Sequence, residues 1–92
     1  MTLRLLLAED DSAIRELLVH HLERAGLTPL IATDGNQALR YFRSGVDLAL
    51  LDIGMPGIDG LELTRTIRRE GMTTPIIFVS ARADEIDRII GL

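Results

Sequence analysis

Four short apolar runs punctuate the chain: Leu3–Ala8, Pro29–Ala32, Leu48–Leu51 and Ile76–Val79. None alternates strictly with polar residues, which is the pattern of strands in a parallel sheet covered on both faces. Between the runs the spacing predicts helices. From Ser12 onward, Ile14, Leu17, Leu18, His21, Leu22 and Ala25 form a stripe of helical period. Asp11 or Ser12 can cap its start, and Gly26 suits its end. A second helix follows Asp34 and carries Ala38, Leu39 and Phe42, with Gly45 beyond it. A third runs from about Leu61 to Arg69, with Leu63 and Ile67 inward and Gly71 beyond. A fourth starts near Asp84 and carries Ile86, Ile89 and Ile90. Strands and helices thus alternate, which implies right-handed crossovers and helices on both faces of a parallel sheet. A closed barrel needs eight such units, so the expected fold is α/β with an open, doubly wound parallel sheet.

In such a sheet, ligands bind outside the carboxyl ends of the strands, where the strand order reverses. Glu9 and Asp10 end the first apolar run, Asp52 ends the third and Ser80 ends the fourth. If the first and third strands are neighbours, three carboxylates converge. Like charges at that range raise at least one pKa unless a cation intervenes. An all-oxygen set without His or Cys suits Mg²⁺, which normally keeps several waters. Plainer roles compete with this one. Acids before a helix N-terminus stabilise it, which would explain Asp11 or Ser12 but not an acidic run that begins at the strand end. Asp52 could serve as metal ligand, nucleophile or turn residue, although the turn signals Met55-Pro56-Gly57 begin only after it. A carboxylate beside Mg²⁺ can attack phosphorus to form an acyl phosphate. Ser80 taken alone reads equally well as a strand-end hydroxyl satisfied by nearby backbone.

Composition narrows the classes. Ninety-two residues make one domain, 1–92. With 47% hydrophobic residues but only two Phe, one Tyr and no Trp, the core must be aliphatic. A net charge of −4 argues against a nucleic-acid-binding face on this chain. The absence of Cys excludes disulfides and thiolate metal sites. Leu5–Ala8 is too short for the core of a signal peptide, and no run is long enough to span a membrane, so the expectation is a cytoplasmic protein with no membrane partner. His20 and His21 lie within the first helix, near its surface and its packed stripe respectively, without a carboxylate or Ser at catalytic spacing. Arg65, Arg68 and Arg69 read as a solvated basic face, and Asp34 and Asp59 as cap and turn residues.

Glu9-Asp10, then Asp52 with Pro56 and Gly60 after it, then Ser80-Ala81 together resemble the receiver domain of two-component response regulators. The flanking text, LLAEDDSAIRELL, LALLDIGMPGIDGLELTRTIR and PIIFVSARADEIDRIIGL, is most similar to the regulators with a winged-helix DNA-binding output domain (OmpR/PhoB-type). The resemblance covers essentially the whole chain. It implies a flavodoxin-like sheet of order 2-1-3-4, cut within the fourth βα unit, with the fifth strand and last helix missing and no output domain on this chain. It further implies that Asp52 is the phosphoacceptor for a sensor histidine kinase. Glu9, Asp10, Asp52 and the main-chain carbonyl of Gly54 would be the Mg²⁺ ligands. Ser80 would be the switch hydroxyl, with the small Ala81 leaving room for the phosphate. The implied protein is not an enzyme, and its intact form controls transcription. The family's switch aromatic and its phosphate-contacting Lys have no counterpart among these residues. Gly54 also departs from the family, which generally carries a side chain there.

Other readings make different demands. An aspartate-nucleophile phosphatase would want a general acid two residues after Asp52, where Gly54 stands. A nucleotide- or flavin-binding protein would want Gly and hydroxyl donors in its first loop, where Glu9-Asp10-Asp11 would repel an anion. A fragment that cannot be phosphorylated would act only in assembly. With the fourth strand at a sheet edge, self-association through that strand or the last helix is expected.

Overall fold

The computed structural model describes residues 2–79. Ser80, Ala81 and the helix expected from Asp84 lie outside the described residues. Seven elements follow in order: β1 (Leu5–Ala8), α1 (Ser12–Arg24), β2 (Leu30–Ala32), α2 (Gly35–Ser44), β3 (Leu48–Asp52), α3 (Gly60–Arg69) and β4 (Ile76–Val79). The strands form one parallel sheet in the order β2-β1-β3-β4. Its register aligns Leu7 with Ile31 and Leu50, and Asp52 with Val79. Among the described residues, no helix is long and apolar enough to cross a membrane.

The strand limits have local causes. The first run was expected to begin at Leu3, but Leu3 is 44% exposed and pairing starts at Leu5. Ahead of it, Arg4 N–H donates to Asp47 Oδ2 at 2.8 Å and its side-chain Nε donates to the Gly45 carbonyl at 2.6 Å, so this stretch is tied to the loop after α2. Pro29 has no N–H to offer, and β2 begins one residue later. Each helix starts with the same device. Asp11, Asp34 and Asp59 accept from the backbone N–H of Ile14, Gln37 and Glu62 at 3.0, 2.8 and 2.8 Å. These bonds satisfy donors that the first turn leaves free. At the far ends of α1 and α3, Gly26 (φ 84°) and Gly71 (φ 86°) take the left-handed conformation that ends a helix.

The crossover directions place α1 on one face of the sheet and α2 and α3 on the other. Leu6, Ala8, Ala32, Ala49 and Leu51 of the sheet pack with Ala38, Phe42, Leu63 and Ile67 in one buried core. On the opposite face the expected stripe of α1 is only partly covered. Ile14, Leu18 and Leu22 are half-buried, whereas Leu17, His21 and Ala25 are exposed. The turn after β3 also starts earlier than its Pro and Gly suggest, at Ile53–Gly54. Met55 is thereby tucked into the core.

Candidate functional site

Because β1 and β3 are adjacent, their carboxyl ends bring Glu9, Asp10 and Asp52 together. One carboxylate oxygen from each lies within 4.8 Å of the others. The three differ sharply in environment: Glu9 is buried (2% exposed), Asp52 is half-buried and Asp10 is exposed. The sheet continues through Glu9, whose N–H donates to the Ala32 carbonyl at 3.0 Å. Burial therefore falls on the first acid of the pair and solvent on the second.

Burial raises the Glu9 pKa to about 7, with Asp52 and Asp10 adding to the rise and the Asp11 N–H opposing it. That N–H donates to Glu9 Oε2 at 3.2 Å. Burial also raises Asp52, against hydrogen bonds from Glu9 and from the Gly54 N–H that pull it down. Both carboxyls are thus held above their ordinary values, and the pair resists carrying two negative charges. This is the signature of carboxylates forced together without a compensating charge. A hard divalent cation would supply that charge, and three carboxylate oxygens with no nitrogen or sulfur donor form a set that fits Mg²⁺.

Arg15, which the sequence reading passed over, helps hold this edge. Its Nη1 donates to the carbonyls of Glu9 and Asp10 at 3.0 and 3.3 Å. The helix that follows the acidic pair thereby reaches back and fixes its main chain. A cation one turn into a helix that begins directly after the acidic run Glu9-Asp10-Asp11 is the signal that could have found it. Gly60 also shapes this edge. A Cβ built on it would lie 2.5 Å from the Asp52 carbonyl oxygen, so its lack of a side chain lets α3 start against the strand that carries Asp52. His20 and His21 pack edge to face on α1, with ring centroids 5.7 Å apart, and are not in the acidic cluster. Ser80 lies outside the described residues.

The family model described as "Response regulator receiver domain" matches residues 5–92. Among curated proteins, the chain is 39% identical over 99 residues to the alkaline phosphatase synthesis transcriptional regulatory protein SphR of Synechococcus elongatus, covering 97% of this chain and 38% of SphR. It is 48% identical over 88 residues to the transcriptional regulatory protein CseB of Streptomyces coelicolor, covering 95% of this chain and 37% of CseB. The chain therefore spans less than two fifths of the length of these relatives. Among solved structures, a Francisella response regulator receiver domain superposes with a TM-score of 0.86 at 30% identity, over 98% of this chain and 75% of that one. The response regulator TrrA of Thermotoga maritima, in complex with Mg²⁺-BeF, gives a TM-score of 0.81 at 41% identity, over 91% and 73%. With its sheet order, its acidic edge and these matches in agreement, this chain belongs to the response regulator receiver domain family.

Proposed function

We propose that residues 1–92 act as one receiver unit in which Asp52 accepts a phosphoryl group from the phosphohistidine of a sensor kinase. One Asp52 carboxylate oxygen attacks phosphorus. The phosphorus–nitrogen bond breaks, its electron pair stays on the imidazole, and Asp52 carries an acyl phosphate. Glu9, Asp10, Asp52 and the main-chain carbonyl of Gly54 would hold Mg²⁺. The ion would neutralise charge on the phosphoryl oxygens and help align the attack. Ser80, next in sequence after Val79, is assigned the hydroxyl that bonds the phosphate and reports its arrival. The relatives' names support transcriptional control as the output of a longer regulator, and the Mg²⁺-BeF complex of TrrA supports the choice of ion.

The observation that carries this reading is the meeting of three carboxylates from two strand ends within 4.8 Å, with Glu9 pushed to about 7. A second feature agrees with it. A Cβ at Gly54 would meet no atom within 4 Å, so no neighbour crowds the chain two residues after Asp52. Intact mass after incubation with Mg²⁺ and acetyl phosphate is the test. One phosphoryl adduct that requires Mg²⁺ and disappears in Asp52→Ala is the expected result. An adduct that survives Asp52→Ala would refute the assignment.

A further inference from the structure

The segment that follows Asp52 is held from two sides by close backbone packing. On one side Gly60, the first residue of α3, donates its N–H to the Ile53 carbonyl at 2.9 Å. On the other side Gly35, the first residue of α2, donates its N–H to the Pro56 carbonyl at 3.2 Å. A Cβ built on Gly35 would collide with the Ile58 carbonyl oxygen, and would lie 2.7 Å from that carbonyl carbon and 2.8 Å from the Ile58 Cβ. Most of what it meets is backbone, which cannot rotate away as a flexible side chain can. Gly35 is not among the glycines with positive φ, so its own conformation would accept any residue. The contact with Ile58 is what demands glycine here. The neighbouring Asn36 lies against the same loop, with its Nδ2 3.0 Å from where a Cβ on Gly57 would sit.

We infer that Gly35 is a positioning residue for the acidic site. The side-chain-free start of α2 lets the Pro56–Ile58 backbone pack directly on it. That packing holds the Ile53–Asp59 loop, and with it the Gly54 main chain beside Asp52, in a cation-binding arrangement. This rests on the reading of Glu9, Asp10 and Asp52 as a Mg²⁺ site. Gly35 has no side chain of its own, so it acts on that site only through the loop. Residues that orient metal ligands from outside the ligand set typically change affinity 10–100-fold when altered.

The test is Mg²⁺ titration by calorimetry on the wild-type chain, Gly35→Ala and Ile67→Val, at a temperature where all three are folded. Ile67→Val trims a buried core side chain outside the loop and controls for general loss of stability. Gly35→Ala should bind Mg²⁺ at least tenfold more weakly, while Ile67→Val stays within about twofold of wild type. Unchanged affinity in Gly35→Ala, or an equal loss in both variants, overturns the inference. Should Gly35→Ala not fold, hydrogen exchange on the wild-type chain decides the matter. If the loop couples the two places, the coupling is reciprocal, and Mg²⁺ must slow exchange of the Gly35 N–H. An unchanged rate while Mg²⁺ is bound overturns the inference alone. A wild-type chain that binds no Mg²⁺ overturns the acidic-site reading, and this inference with it.

Discussion

The two faces of the sheet are built from similar residues and end in different states. On the α2/α3 face, Leu6, Ala8, Ala49 and Leu51 meet Phe42, Leu63 and Ile67 in a closed core. On the α1 face, Leu5 and Leu7 of the central strand are buried, yet Leu17 is 57% exposed, Ile77 is 52% exposed and no residue of α1 is fully buried. Width explains the difference. Four strands about 4.8 Å apart make a sheet roughly 19 Å across, and a helix with its side chains is only about 10 Å wide. Two helices close one face; among the described residues α1 alone faces the other, and the strands away from it stay partly open. The acidic site joins the two regimes. Asp52 ends a strand whose inward residues belong to the closed core, while Glu9 and Asp10 are pinned by Arg15 from α1, on the looser side.

The comparison predicts its largest effect on the closed face. Leu63 is completely buried, so Leu63→Ala removes its contacts and leaves a cavity that a dense core cannot refill. The expected loss is about 2–5 kcal/mol, read from urea denaturation. A small domain has little stability in reserve, so much of the population should unfold near room temperature. A loss below about 1 kcal/mol would mean that this core relaxes freely and that the two faces are not distinct.

Much of this arrangement was legible in the sequence, and the parts that were not share a cause. Apolar runs bounded by Asp and Gly located the strands and helices because capping and left-handed turns depend on a few neighbouring residues. Alternation implied a parallel sheet, but the convergence of Glu9, Asp10 and Asp52 was readable only on the condition that β1 lies beside β3. The family resemblance implied that order, and the observed order β2-β1-β3-β4 bears it out. Burial across the sheet was not readable. The stripe of α1 has the period of an inward face, but whether it is covered depends on how many helices share that side. His21, expected near the packed stripe, is exposed for this reason. The contact between Gly35 and Ile58 was equally hidden, since it joins the start of one helix to a loop more than twenty positions away and shows locally only as an ordinary glycine after a cap.

A smaller effect is expected at the seam, and its sign follows from Glu9. The folded pKa of about 7 lies above the ordinary 4.5, so the folded state holds the proton more tightly than the unfolded chain does. The stability this contributes is fully present below pH 4.5 and is lost as pH rises through 7. Without divalent cations, stability should therefore fall between pH 5 and pH 8 by on the order of 1–3 kcal/mol, and Glu9→Gln should flatten the profile. Mg²⁺ should oppose the loss by occupying the ionised cluster, adding about 1.4 kcal/mol at ten times its Kd. Thermal melts with and without EDTA at the two pH values check both statements. A Mg²⁺ effect as large at pH 5 as at pH 8 would show that the ion binds elsewhere.

The smallest effect belongs to the open face. Leu17 sits in the stripe of α1 but leaves more than half its surface in water. Leu17→Ala thus gives up little burial, and Ala is the better helix former. The two contributions nearly cancel, and the expected change is within about 0.5 kcal/mol. Set beside Leu63→Ala, this makes a paired measurement in which the same substitution on two helices differs several-fold because one face is closed and the other is not. Denaturation of both variants under one condition is sufficient. If Leu17→Ala costs more than about 1 kcal/mol, the outer stripe of α1 is buried in solution and the contrast between the two faces fails.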